Sequence, residues 1–207
     1  MGGTGGRTMS NSLRLATPSK STPEPTDEAL MEAYRDGDPS AFETLYARHR
    51  RPLYHYIRRQ VNGEYAEELY QDVWMRLIAA RDRYTVSAKF TTYLYRIARN
   101  RLIDHYRAGD RHQQDISFDE ESIDEALPLS PGSETPDTAM ERSQTALNVR
   151  EALQRLPKDQ LDTFLLHEEA GLTLEEIAQL NGIGRETVKS RLRYALGKLR
   201  RALETAE

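Results

Sequence analysis

Residues 173–203 confine this part of the chain to one local geometry: two short helices joined by a tight turn, the second of them basic. Thr173 suits an N-cap with Glu176 three positions on, the reciprocal pair that satisfies two orphan N–H groups at a helix start. Leu174, Ile177 and Ala178 form an apolar stripe, and Asn181-Gly182 supplies the left-handed residue that stops the helix. The second helix has its own stripe at Val188, Leu192, Ala195, Leu196, Leu199 and Leu203. At about 100° per residue, Glu186, Ser190, Arg193, Tyr194 and Gly197 fall on the opposite face, with Lys189 and Arg191 on its shoulders. Pattern alone also describes an ordinary amphipathic hairpin with solvated arginines. The charge argues otherwise: Arg185, Lys189, Arg191, Arg193, Lys198, Arg200 and Arg201 stand against Glu186 alone, in a chain of net charge −4. A basic helix-turn-helix points to duplex DNA, with the shoulders suited to phosphates and the outer face to base edges.

A chain of 207 residues holds one large or two small domains, and its unpromising tail and middle favour two. Cysteine is absent, which excludes disulfides and thiolate metal sites within the chain and fits a reducing compartment. No apolar run reaches the length of a membrane span and no apolar signal-peptide core opens the chain, so a cytoplasmic protein without membrane insertion is expected. Residues 1–25, rich in Gly, Ser, Thr and Pro, are expected to be a disordered tail.

From residue 26 to about 108 the periodicity is helical, with no alternating run and no hairpin signal, so the fold class is all-α. Leu30, Met31 and Tyr34 mark a first helix ending near Gly37, and Asp38-Pro39 begins a second. Phe42, Leu45, Tyr46, Leu53 and Ile57 give that helix its inner face, and Pro52 is expected to bend it. A third helix, about 64–79, turns Ala66, Leu69, Val73 and Leu77 inward and Glu67, Glu68, Gln71, Asp72 and Met75 outward. An acidic face around one methionine suits docking, although a solvated face of helix-favouring glutamates has the same pattern.

A fourth helix, about 89–107, turns Phe90, Leu94, Ile97 and Ala98 inward and Arg96, Arg99, Asn100, Ile103 and Arg107 outward. Tyr84, Tyr93, Tyr95 and Tyr106 are interleaved with these cations, as single-stranded nucleic acid binding requires. Phe90 and some of the tyrosines also suit a core, and the loop from Arg83 to Lys89 is the better place for a base pocket. Residues 109–142 turn to Asp, Glu, Ser, Pro and Gly, the composition of a flexible acidic linker, most simply a solvated one. Residues 143–204 then form the second small helical domain.

Taken in order, Ala41-Phe-Glu-Thr-Leu-Tyr, Ala66-Glu-Glu-Leu-Tyr-Gln-Asp-Val-Trp, the run from Phe90 to Arg107, Leu156-Pro-Lys-Asp-Gln, Glu176-Ile-Ala and Thr187-Val-Lys-Ser-Arg-Leu resemble bacterial RNA polymerase sigma factors of the extracytoplasmic-function class. The resemblance spans nearly everything except the tail and the linker. It implies a protein that binds core RNA polymerase, recognises two promoter elements, opens the DNA between them and is held by an anti-sigma factor. Glu67, Glu68, Gln71, Asp72 and Met75 would grip the coiled coil of the largest polymerase subunit. Tyr84, Lys89, Tyr93, Arg96, Arg99, Asn100 and Arg107 would serve minus-ten recognition and melting. Thr187, Lys189, Ser190, Arg191, Arg193 and Tyr194 would serve the minus-thirty-five duplex. No cofactor, metal, catalytic residue or small-molecule substrate is implied.

The sequence departs from the family pattern at Tyr93, where Trp is more common, and at Gly184, where a small hydroxyl usually caps the recognition helix. His167-Glu168-Glu169 resembles the start of a zinc-protease helix, but position 171 is Gly and not the required histidine. Two other readings share the residues: a stand-alone dimeric helix-turn-helix regulator, and an adaptor or decoy that occupies polymerase without melting DNA.

Overall fold

The computed structural model describes residues 24–61, 63–110 and 147–204. The segment expected to be an acidic linker lies outside those residues except for 109 and 110, and the segment expected to be a tail lies outside them except for 24 and 25. The described residues are helical, with no strand among them. α1 (Asp27–Arg35) starts at Thr26, whose side chain accepts a hydrogen bond from the Ala29 N–H at 3.2 Å. Gly37, at φ 105°, takes the backbone conformation that lets the chain turn sharply into the next cap. There Asp38 accepts from the Ser40 N–H at 2.9 Å and opens α2 (Pro39–Arg58) with proline in its first turn. The helix continues through Pro52 as one element.

α3 (Gly63–Ala79), a short 3₁₀ turn (Arg81–Arg83) and α4 (Phe90–Asp110) complete the first domain. α4 begins where it does because Glu28 of α1 accepts from the Phe90 N–H at 2.8 Å, putting a carboxylate at the positive end of the helix. α4 runs to residue 110, past the boundary expected at 108. Its core combines Leu45, Leu53 and Ile57 of α2, Leu69, Val73 and Leu77 of α3 and Phe90, Leu94 and Ala98 of α4, all buried. Trp74 packs edge-on to Phe42 and Tyr46, with ring centroids 5.9 and 4.9 Å apart.

The second domain begins in a helix described over residues 147–154 (α5) and continues through α6 (Lys158–Glu168), α7 (Leu174–Asn181) and α8 (Arg185–Glu204). The expected capping box is present: Thr173 and Glu176 exchange hydrogen bonds at the start of α7, and Gly182 ends it at φ 65°. Leu165 and Leu166 of α6, Ile177 of α7 and Val188, Ala195 and Leu199 of α8 fill the core. The domains touch along α2 and α4 on one side and α6 and α7 on the other.

Candidate nucleic-acid interface

Three surfaces carry the side chains singled out by the sequence. On α3, Glu67, Glu68 and Gln71 are exposed and Met75 is 63% exposed, a large apolar side chain left in water. Asp72 is tied down: it pairs with Arg76 at 3.4 Å and with Arg101 of α4. Four of the five residues therefore form one open acidic face around an apolar anchor, and the fifth is half-buried beside them.

Along α4, Arg96, Asn100 and Arg107 are exposed on one face. The Arg96 guanidinium lies 5.5 Å from the centroid of the half-buried Tyr93 ring, a cation over an aromatic face. Beside them a cleft of about 390 Å³ is lined by Arg76, Ala79, Arg83, Tyr93, Ile97 and Asn100. The cleft lies in the angle between the end of α3, the 3₁₀ turn and α4, next to the loop in which a base pocket is expected. Tyr84 is corrected: only 3% exposed, its ring packs 5.3 Å from that of Tyr93 and offers no free face to a base. Tyr95 is buried too, edge-on to Tyr56. Burial pushes the Tyr84 phenol up to about 12. Lys89 and Arg99 lie at the domain boundary, where Lys89 Nζ is 2.9 Å from Glu176 and Arg99 Nε is 3.4 Å from Asp162.

On α8, Thr187, Lys189, Arg193 and Tyr194 are exposed, Tyr194 to 55%. The Arg193 guanidinium lies 5.2 Å from the Tyr194 ring centroid, so cation and ring form one outward unit. Glu186 pairs with Arg185 at 3.4 Å and Lys189 at 3.8 Å, which neutralises part of the positive face at its N-terminal end. Ser190 is half-buried, and its hydroxyl donates to the Thr187 carbonyl at 2.9 Å. Arg191, expected on a phosphate, is half-buried and ion-paired with Asp159 of α6. Gly184 holds the N-cap position without a side-chain cap, its carbonyl accepting from the Thr187 and Val188 N–H groups.

Sequence reasoning missed two groups. Arg76 and Ile97 line the cleft, and the only signal was that Arg76 lies one turn beyond Asp72. Leu196, expected inside, is 45% exposed and lines an open groove of about 430 Å³ that combines the apolar Val149, Leu153, Phe164, Leu199 and Leu203 with the charged Arg59, Glu168 and Glu169. In the histidine motif, His167 Nδ1 sits 3.0 Å from the Leu172 carbonyl, and among the described residues no group of three or more His, Asp or Glu side chains is placed to hold a metal ion. Among the described residues no helix is long and apolar enough to cross a membrane.

The order of the two domains has counterparts in known proteins. Residues 45–112 match Sigma-70 region 2 and residues 152–201 match Sigma-70, region 4. The chain is 33% identical over 178 residues to RNA polymerase sigma factor CarQ of Myxococcus xanthus, covering 86% of this chain and 97% of that protein. It is 28% identical to ECF RNA polymerase sigma factor SigM of Mycobacterium tuberculosis, with 87% and 86% of the two chains covered. Its fold is that of the sigma factor RpoE solved in complex with the anti-sigma factor NepR from Bartonella quintana, at a TM-score of 0.63 and 23% identity over 79% of this chain and 96% of that one. With both sigma-70 regions present in order, the chain belongs to the RNA polymerase sigma factors, in the extracytoplasmic-function class.

Proposed function

We propose a division of labour among the three surfaces of this sigma factor. A sigma factor initiates transcription without catalysis of its own, and the chain is not an enzyme. It directs core RNA polymerase to promoters, and the polymerase supplies the metal and the chemistry.

The face of Glu67, Glu68, Gln71 and Met75, with Asp72 at its edge, docks on the coiled coil of the largest polymerase subunit. Acids around one desolvated apolar anchor suit a basic partner. Arg96, Asn100 and Arg107 hold the non-template strand of the minus-ten element, the cleft beside Tyr93 takes an unstacked base, and Lys89 and Arg99 extend the path. Unstacking costs a few kcal/mol per base, roughly what stacking and backbone capture return. Lys189, Arg193 and Tyr194 read the minus-thirty-five duplex in the major groove, with Thr187 at its phosphates and Ser190 and Arg191 holding the helix that presents them. The protein works in the cytoplasm and is restrained by an anti-sigma factor, as the complex of the similar RpoE with NepR suggests by analogy.

The observation that carries this reading is the pairing of ring and cation on two separate helices of one chain, Tyr93 with Arg96 and Tyr194 with Arg193. Run-off transcription on fragmented genomic DNA, with core polymerase in the presence and absence of the protein, tests it. Discrete protein-dependent transcripts are expected. Their absence beside an active control sigma factor would move the function to a stand-alone regulator or a decoy, and polymerase binding separates those two.

A further inference from the structure

We infer that Met75 is an oxidation site through which hydrogen peroxide weakens the docking of this protein on core RNA polymerase; the inference rests on the docking role proposed for the α3 face. The chain has five methionines and no cysteine, so its sulfur chemistry belongs to thioethers alone. Of the two methionines among the described residues, Met31 is fully buried and Met75 is 63% exposed. At about 100° per residue, Met75 lies within about 60° of Glu68, Gln71 and Asp72, in the middle of the outward side of α3. A helical side chain leans toward the N-terminus, so the thioether lies over the turn that carries Gln71 and Asp72. Asp72 is drawn off by Arg76 and Arg101, and an oxidant reaches the sulfur from solvent.

The sulfur attacks one oxygen of hydrogen peroxide, and the S–O bond forms as the O–O bond breaks. The departing hydroxide takes up the proton of the transferred oxygen and leaves as water. Sulfur gives up two electrons and the peroxide accepts them. The product, methionine sulfoxide, is polar where the thioether is apolar. In the free protein the new oxygen stays in water. In the docked state it must be stripped of water at the centre of the patch, where an anchor acts through desolvated apolar contact. The carboxylates of Glu67 and Glu68 beside it are acceptors and cannot satisfy it. The fold should survive the change, because Ala66, Leu69, Val73, Trp74 and Leu77 hold α3 from the opposite side, all buried. Oxidation of Met75 thus separates docking from stability, which oxidation of Met31 in the core would not do.

The test treats the full chain with hydrogen peroxide, removes the oxidant and locates sulfoxide by peptide mass spectrometry. Anisotropy of an N-terminal fluorophore then gives the affinity for core RNA polymerase. Met75 should oxidise well before Met31, and affinity should fall at least about tenfold with helix content by circular dichroism unchanged. Methionine sulfoxide reductases should restore it. Met75→Leu, whatever its starting affinity, should bind equally before and after peroxide. A loss by treated Met75→Leu equal to that of the parent would give the effect to another methionine and overturn the site. So would a Met75 that stays reduced while free methionine is oxidised. Met75→Ala without peroxide separates this inference from the reading beneath it. Parent-like affinity there overturns the docking role of Met75. Weak binding by Met75→Ala, beside parent-like binding by the sulfoxide form, overturns the effect of oxidation alone.

Discussion

α4 and α8 are both basic helices with tyrosines among their cations, yet they spend their rings differently. In α4 and the loop before it Tyr84 and Tyr95 are buried and Tyr93 is half-buried, leaving exposed cations over a wall of aromatic core. In α8 the ring of Tyr194 is more than half exposed and shares the outer face with Arg193 and Lys189. A strand that is opened and splayed needs a cleft beside a rigid wall, whereas a duplex needs a helix that protrudes. Under the proposed division of labour, the same composition would serve two tasks through burial alone.

The largest expected effect breaks the wall. Tyr95→Ala removes a fully buried ring and should cost about 3–5 kcal/mol by denaturant unfolding. Tyr194→Ala should stay within about 0.5 kcal/mol on the same measurement. Equal losses would mean that the two rings are not used differently.

Next in size, Arg193→Ala should weaken binding to the minus-thirty-five duplex by about 1–3 kcal/mol and relax its sequence preference, measured by titration against variant sites. Lys189→Ala sharpens the assignment: a smaller salt dependence with unchanged preference would place it on phosphate.

The start of the helix-turn-helix should respond to Thr173→Ala by about 1 kcal/mol, read from thermal melting of the full chain. Its pH dependence has a defined sign. Burial alone pushes the Glu176 carboxyl up, but the Thr173 N–H and hydroxyl and Lys89 together hold it below its ordinary value. With the folded value lowered, the stabilisation is complete above the unfolded value and is lost as pH falls through the folded one. Melting of the parent should therefore fall on acidification through the carboxylate range, and Glu176→Gln should flatten that fall. The smallest effect belongs to Gly184→Ser: it restores a hydroxyl cap to α8 and should raise stability by a few tenths of a kcal/mol. An added Cβ there meets nothing nearer than Thr187 Oγ1 at 3.9 Å.

Caps and stripes were legible in the sequence because they are local. Thr173 with Glu176, Gly182, Asp38-Pro39 and the buried positions of α3 depend on residues within one or two turns, and each is found as read. What sequence missed is set by residues far along the chain. Tyr84 is buried beside α1, whose Arg35 donates to its carbonyl across a separation of 49 residues, Arg99 meets Asp162 across a separation of 63 residues, and Arg191 is held by Asp159 32 positions away. Periodicity placed Leu196 inside, but the groove beside α5 stays open and leaves it exposed. A stripe tells which side of a helix is apolar, and only the assembled domain tells whether anything covers it.

The most direct test of the account separates docking from melting. Arg96→Ala with Asn100→Ala alters only exposed side chains of α4, so the variant should bind core polymerase and the minus-thirty-five duplex as the parent does. Permanganate probing of unpaired thymines at a promoter mapped by run-off transcription should then show the open region in the parent and none in the variant. Full opening by the variant, with polymerase binding intact, would contradict the assignment of strand capture to α4.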